Sequence, residues 1–150
     1  MSYTHTQKGI AVFAGVAIAM VVYLIGMTIT IFEDMDFNPA LLIPPVMLCV
    51  IYWLFKSMTV EIDEKEIRHW FGDSFWKKSY PLNDIKKYSK VEVPWYRGYG
   101  IRWNGNGWLY RVAGSEGIEL ELTSGSIVTI GTTEPLRLFV AISEQLSSEE

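Results

Sequence analysis

The chain has 150 residues, 49% of them hydrophobic, a mean hydropathy of +0.16 and a formal net charge of −4. Without an overall positive charge, the sequence does not have the profile of a nucleic-acid-binding protein. Its single cysteine, Cys49, excludes a disulfide within the chain and lies in an apolar run, where a thiol acts as a small hydrophobe.

The longest apolar stretch runs over Ile10–Phe32 and contains no charged side chain in 23 residues. At ~1.5 Å per residue, a helix of this length crosses the ~30 Å hydrocarbon core of a bilayer. Small residues around Ala19 suit signal cleavage, but the apolar run continues well beyond them. A signal peptide's apolar core ends after ~7–15 residues, so we predict a retained membrane span.

A second apolar run, Pro39–Phe55, is at the short limit for a span. The turn before it, residues 33–38, contains three acidic residues and no base, and Asn38 is suited to cap the following helix. The consecutive prolines Pro44 and Pro45 predict a kink near residues 40–41. We therefore predict a transmembrane hairpin over residues 10–56, preceded by a leader, residues 1–9, and followed by a domain, residues 57–150.

The basic residues predict the orientation of this hairpin. Lys8 precedes the first span, and Lys56, Lys65 and Arg68 follow the second, whereas the acidic turn has no base. Positively charged flanks remain in the cytoplasm, so we predict a multi-pass protein of the cell inner (plasma) membrane with both termini cytoplasmic.

Small residues form one stripe on the first span. Because a helix turns by 100° per residue, Ala11, Gly15, Ala19, Val22 and Gly26 lie on one face. Such a stripe allows another helix to approach closely. The simpler expectation is that the second span of the same chain packs there, and a homo-oligomer is the alternative.

From Ser57 the pattern changes to alternating residues and frequent turns, typical of short antiparallel strands. The predicted strands cover residues 58–62, 67–71, 75–80, 85–93, 101–103, 108–112, 118–122 and 126–130. A C-terminal helix follows, with Thr133 as its cap and Leu138, Phe139, Ile142 and Leu146 on its apolar face. The predicted fold class is α+β: a transmembrane hairpin and a small antiparallel β-barrel or sandwich covered by one helix.

Several pieces of this domain resemble the bacterial PH-like domains of small membrane proteins. They are residues 60–63, 67–72, 81–85, 98–102, 112–114 and 130–132, spread over more than half of the chain. The resemblance implies a lipid-binding or protein-binding platform. The turn Asp63-Glu64-Lys65-Glu66 is acidic, however, where phosphoinositide-binding PH domains have a basic loop, so phosphoinositide recognition is not implied.

No residue pattern indicates catalysis. With two histidines, His5 and His69, and one cysteine in an apolar run, the sequence offers no metal site, and it implies no cofactor. His69 is expected to be a half-exposed residue of a strand, and Glu119 and Glu121 to be solubilising charges on a wet face.

Charge is distributed unevenly along the domain. Residues 76–111 contain eight basic and two acidic residues, whereas residues 112–150 contain one basic and seven acidic residues. The basic half also contains nine tryptophan and tyrosine residues, and this mixture suits the headgroup layer of an anionic leaflet. The alternative is that most of these aromatic rings fill the core of the domain.

These observations predict a non-catalytic, membrane-anchored PH-like interaction module that presents a cytoplasmic surface to anionic lipid or to an unidentified protein partner. The alternative is a membrane-embedded enzyme that acts on lipid. The predicted lipid-binding residues are Lys77, Lys78, Lys86, Lys87, Lys90, Trp95, Tyr96 and Arg97.

Overall fold

The structure is a computed structural model that describes residues 3–34 and 38–147. These residues form nine strands and three α-helices. Residues 35–37 of the predicted acidic turn lie outside these residues. In chain order the elements are β1 (Tyr3–Lys8), α1 (Ile10–Asp34), a 3-10 turn (Pro39–Leu42), α2 (Ile43–Phe55), β2 (Ser57–Ile62), β3 (Glu66–Phe71), β4 (Phe75–Pro81), β5 (Ile85–Glu92), β6 (Gly100–Trp103), β7 (Gly107–Arg111), β8 (Glu116–Leu122), β9 (Ile127–Thr132) and α3 (Pro135–Ser147). The predicted α+β class is confirmed.

The strands form two sheets rather than a closed barrel. Sheet A has the order β1-β2-β3-β4 and is antiparallel throughout. Sheet B has the order β5-β8-β9-β7-β6, and its pairs are antiparallel except for the parallel pair β7–β9. Because β5 and β6 are the two edges of sheet B, the connection between them has to pass across the whole sheet.

One hydrophobic core lies between the sheets and under α3. Alternation puts Ile67 and Phe71 of β3 and Ile118 and Leu120 of β8 into this core. Helix α3 adds Leu138, together with the residues Phe139, Ile142 and Leu146 that the sequence also predicts on this face. The predicted cap is wrong: the helix begins at Pro135, and the hydroxyl of Thr132, not Thr133, accepts a hydrogen bond from the Glu134 amide at 3.0 Å.

The two apolar segments form an antiparallel helical hairpin. The rings of Phe13 and Tyr52 lie 5.7 Å apart near its base, and the Tyr23 hydroxyl donates to the Leu41 carbonyl farther along. Within the described residues only Ile10–Phe32 is long and apolar enough to count as a candidate membrane span, and none of it is buried. Where the sequence predicts a kink, the structure has the 3-10 turn Pro39–Leu42, which precedes α2.

The small-residue stripe of α1 does not pack on α2, contrary to the simpler expectation. A Cβ atom added at Gly15 or at Gly26 would meet nothing within 4 Å. Partly covered positions instead include Val16, Met20 and Tyr23, on another face of the helix. The second arm of the hairpin therefore packs on larger side chains, and the glycines face outward.

The predicted leader contains a strand that the sequence does not reveal. Residues Tyr3–Lys8 form β1, which pairs along its length with β2, from Tyr3 opposite Ile62 to Lys8 opposite Ser57. The helical hairpin is thus inserted between two neighbouring strands of sheet A. It takes the place that a short turn would occupy in an ordinary β-hairpin.

Candidate membrane-facing surface

The two ends of the helical hairpin are held together by hydrogen bonds at one edge of the domain. The Gly9 amide donates to the Lys56 carbonyl at 2.8 Å, directly after the pairing of Lys8 with Ser57. The Gly72 amide donates to the Ser57 carbonyl at 2.9 Å, which adds the β3–β4 turn to this junction. We refer to this junction, residues 8–9, 55–57 and 72–75, as the hairpin base.

Phe55 fixes the hairpin base to the core of the domain. Its ring meets Phe71 at 5.2 Å and Phe75 at 5.8 Å between centroids, in both cases edge to face. A Cβ atom added at Gly100 would lie 3.6 Å from the same ring, so the start of β6 is also at the hairpin base. The last residue of α2 therefore joins both sheets to the helices.

Gly72 is required by a close backbone approach. Its φ is +52°, and an added Cβ would lie 3.1 Å from the Leu54 carbonyl oxygen and 3.2 Å from that of Trp53. Beside it, Lys56 pairs with Asp73 at 3.1 Å and lies 6.0 Å from the centre of the Trp53 ring. The hairpin base thus places a basic side chain beside an exposed tryptophan of α2, as is typical of a membrane interface.

A buried arginine holds the connection that crosses sheet B, residues 93–99. Arg111 is 1% exposed, and its guanidinium donates to the Pro94 carbonyl at 3.0 Å and to the Gly114 carbonyl. It also stacks on the Tyr99 ring, 4.5 Å from its centre. Burial lowers the pKa of this guanidinium, and it has no carboxylate partner among the described residues.

This anchoring leaves the middle of the connection in solvent. Trp95 is 78% exposed and Tyr96 is 71% exposed, although both belong to residue types that proteins usually cover. They occupy a short 3-10 turn with Arg97, only a few residues before Gly100 at the hairpin base. Two aromatic rings and a guanidinium are therefore presented near the point where the helices leave the domain.

The predicted lipid-binding lysines do not lie together. Lys77 and Lys78 follow Phe75 on β4, ~7–10 Å of strand from the hairpin base, and lie over the rings of Trp70 and Trp76 at 5.1 and 5.7 Å. Lys86 and Lys87 begin β5 at the opposite end of sheet B, about 20 Å of strand from its last residue.

Two of the lysines on β5 are also paired with acids on the neighbouring strand. Lys86 lies 3.4 Å from Glu121, and Lys90 lies 2.7 Å from Glu116. Such pairs across a sheet reduce the charge available to a lipid headgroup. Lys77 and Lys78 thus follow the hairpin base along β4, and Trp95, Tyr96 and Arg97 precede Gly100 at the hairpin base. Lys86 and Lys87 lie at the far end of β5, and Lys90, near its last residue, is paired with Glu116. We call Lys77, Lys78, Trp95, Tyr96 and Arg97 the basal patch.

His69 is not the half-exposed strand residue that the sequence predicts. It is 0% exposed, and its ring stacks with Tyr80 at 5.7 Å and approaches Tyr110 at 4.3 Å between centroids. Neither ring nitrogen has a hydrogen-bond partner. Burial, with a smaller effect from Lys78, lowers the pKa of His69 to about 4, so the ring is neutral at pH 7.

The sequence contains no strong local signal for the hairpin base or for the buried Arg111. Gly72-Asp73 reads as an ordinary turn, and Arg111 follows an alternating strand pattern in which a charged residue is expected to face water. Only the parallel pairing of β7 with β9, and the connection over them, encloses Arg111.

Within residues 3–34 and 38–147, no group of three or more His, Cys, Asp or Glu side chains is arranged to hold a metal ion. No protein-family model, curated protein or solved structure matches this chain. The resemblance of residues 58–146 to PH-like domains accordingly stays a prediction from the sequence.

Proposed function

We propose that this protein is a two-span membrane protein whose β domain lies against one leaflet and acts there as a non-catalytic interaction module. The observation that carries this proposal is the pairing of β1 with β2 on either side of the helical hairpin. Two adjacent strands of one sheet have to be on the same side of a membrane. The chain between them would then cross an even number of times, which supports two spans over one.

The length of the second arm is compatible with this topology. A 3-10 helix rises ~2.0 Å per residue, so the four residues of Pro39–Leu42 and the thirteen of α2 together reach about 27 Å. This approaches the ~30 Å of a typical hydrocarbon core. The exposed apolar side chains along both arms supply the surface that lipid would cover.

The contacts of β1 argue against α1 being a removable signal sequence. The Gln7 side chain is buried, donates to the Gly131 carbonyl at 2.7 Å and accepts from the Thr133 amide at 3.1 Å. Cleavage within or after α1 would detach this strand from sheet A. The orientation follows from charge: Lys8 and Lys56 lie together at the hairpin base, so we place the domain in the cytoplasm.

Cysteine labelling tests the topology. In a Cys49→Ser background, Thr4→Cys and Ser124→Cys should react with an impermeant maleimide only after the cells are opened, because both residues belong to the cytoplasmic domain. Asn38→Cys, between the two arms, should react in intact cells. Labelling of all three cysteines from one side would refute two spans, and labelling of Thr4→Cys and Ser124→Cys in intact cells would refute the orientation alone.

Within this function, we assign contact with anionic headgroups to the basal patch. Each basic residue near a charged leaflet contributes ~1 kcal/mol, an attraction that fades over a Debye length of ~8 Å at physiological salt. The helical hairpin keeps the domain near the lipid, so weak contacts suffice. We expect no preference for phosphoinositides, because the turn Asp63-Glu64-Lys65-Glu66 is acidic and its Asp63 is already paired with Arg68.

A nitroxide on Tyr96→Cys, in the Cys49→Ser chain in nanodiscs, measures this contact. We expect greater exposure to lipid-soluble oxygen, and less to a water-soluble nickel complex, in anionic than in neutral nanodiscs. The double variant Lys77→Gln/Lys78→Gln should remove this difference. The matched pair Lys86→Gln/Lys87→Gln, at the far end of β5, should retain it. Equal exposure in both lipids, or equal effects of the two variants, would contradict the assignment.

A further inference from the structure

The outer edge of β1 is unpaired. In sheet A its only strand neighbour is β2, and outside the strand pairs no backbone hydrogen bond of residues 3–8 is formed within the described chain. An edge strand offers a row of amide and carbonyl groups at a spacing that matches another extended chain. β1 is therefore open to strand addition unless something covers it.

A groove of about 540 Å³ runs along this edge. Tyr3, Thr4 and His5 of β1 line one wall, and α3 lines the other. The helix contributes Glu134, Leu136, Arg137, Val140, Ala141 and Glu144 to this wall. Leu136 is 68% exposed and Val140 is 50% exposed. This wall of the groove is therefore partly apolar, and no other part of the described chain covers these two side chains.

The two walls of this β1–α3 groove are held in a fixed relation by polar contacts. His5 Nε2 lies 3.0 Å from the Thr133 hydroxyl, and His5 Nδ1 lies 3.4 Å from the Glu134 carboxylate. Gln7 bridges Gly131 and Thr133, as described above. A groove with fixed walls costs little to organise when a ligand binds.

We infer that the β1–α3 groove binds an extended peptide segment of a partner protein, which adds to sheet A as a strand beside β1. Strand addition obtains affinity from main-chain hydrogen bonds and specificity from alternate side chains. From Glu134 to Glu144 the helix extends ~15 Å, which is the length of four to five extended residues. The groove thus accommodates a short segment.

The side chains of the groove define the chemistry of this peptide. Leu136, Val140 and Ala141 would receive an apolar side chain. Glu134 is already shared by Arg137 at 3.3 Å and His5 at 3.4 Å, whereas Glu144 forms no ion pair within the described chain. The groove is therefore net acidic, and the segment that it fits carries one apolar residue followed or preceded by a lysine or arginine.

This inference deepens the proposed function by naming the class of partner, and it rests on the domain being an interaction module. It does not depend on how the hairpin crosses the membrane or on lipid contact. Labelling or nanodisc results that contradict the topology or the lipid contact would not bear on the groove. Absence of peptide binding would refute the groove inference and would not bear on the topology.

The experiment uses the full chain in neutral nanodiscs and a display library of random ten-residue peptides. We expect enrichment of sequences that combine an apolar residue with a nearby lysine or arginine. Synthetic versions of an enriched peptide, N-methylated at every second amide in the two possible registers, test the mode of binding. One register should lose at least tenfold in affinity and the other should bind nearly as the parent, because only one set of amides faces β1.

Two variants test the chemistry of the groove. Leu136→Asp/Val140→Asp should abolish binding, and both positions are exposed enough for the fold to be retained, which near-UV circular dichroism verifies. Glu144→Lys should weaken basic peptides about fivefold, the effect of one exposed charge pair, and shift the library toward acidic ones. Three results would overturn the inference: no enrichment over the double variant, equal binding of both methylated registers, or cross-linked dimers joined through β1, which would show that a second copy occupies the edge.

Discussion

Replacing Leu138 with alanine is expected to lower the free energy of unfolding of the β domain by about 2–5 kcal/mol. Leu138 is 1% exposed and belongs to the core that α3 shares with both sheets. The neighbouring residues are held by strand pairing and cannot collapse fully into the space that its side chain leaves, so a cavity adds to the lost burial. Urea unfolding of the full chain in detergent micelles, followed by tryptophan fluorescence, measures the loss.

Leu136→Ala is the matched control, because Leu136 is on the same helix but is largely exposed, and its loss should stay within about 0.5 kcal/mol. Phe139→Ala should fall between the two. The sequence predicts Phe139 as a core residue, and the structure shows it half-buried, with its ring 5.0 Å from that of Tyr88. Equal losses for Leu138→Ala and Leu136→Ala would show that the packed face of α3 is wrongly assigned.

Most of the β domain could be predicted from the sequence, since its signals are local. The alternation of Ile118, Leu120 and Leu122 with two glutamates defines β8, and each of the predicted strands has a counterpart within about two residues of its predicted ends. The tight turn at Gly72 and the turn at residues 104–107 likewise follow from residue types that adopt turn conformations.

β1 could not be predicted in this way. Its inward side chains are Tyr3, His5 and Gln7, and two of these three are polar. The alternation of apolar and polar residues that usually marks a strand is therefore missing. Its partner begins at Ser57, after the whole helical hairpin. Its pairing with β2 and the tertiary contacts of His5 with Thr133 and of Gln7 with Gly131 explain why this polar segment is ordered as a strand.

The predicted lipid-binding surface depends on tertiary pairing in the same way. Composition identifies a basic, aromatic region, and Trp95 and Tyr96 are exposed as a surface role requires. Which lysines are close to the helices depends on strand order, and which are paired with glutamates depends on the register of β5 with β8. Neither follows from the local pattern, because both result from pairings between strands.

Lowering the pH from 7 to 4 is expected to reduce the free energy of unfolding by about 3 kcal/mol through His69 alone. The pKa of this residue is 6.5 in the unfolded chain and about 4 in the folded one, and each unit of difference corresponds to ~1.36 kcal/mol. Between these two values the unfolded chain binds more protons than the folded chain, so stability falls as the pH falls. The loss starts near pH 6.5 and is nearly complete at pH 4.

The surroundings of His69 explain why protonation is so costly. Both ring nitrogens lack a hydrogen-bond partner, and the rings of Phe71, Tyr80 and Tyr110 surround the imidazole. Of the charged residues nearby, Lys78 lies opposite His69 in the register of β3 with β4, and its positive charge adds to the cost. No carboxylate pairs with this imidazole in the described chain, so an imidazolium here would have no compensating charge.

His69→Leu provides the comparison, because leucine fills a similar space without titrating. Urea midpoints measured in micelles at steps from pH 7.5 to 4 should fall steeply in the wild type and remain nearly flat in His69→Leu, so that the two curves diverge below pH 6.5. The lowered pKa of Asp63 acts equally in both proteins, so it does not contribute to the divergence between the two curves. Parallel curves for the two proteins would show that His69 is accessible to solvent or paired, and that the buried aromatic cluster around it is not as described.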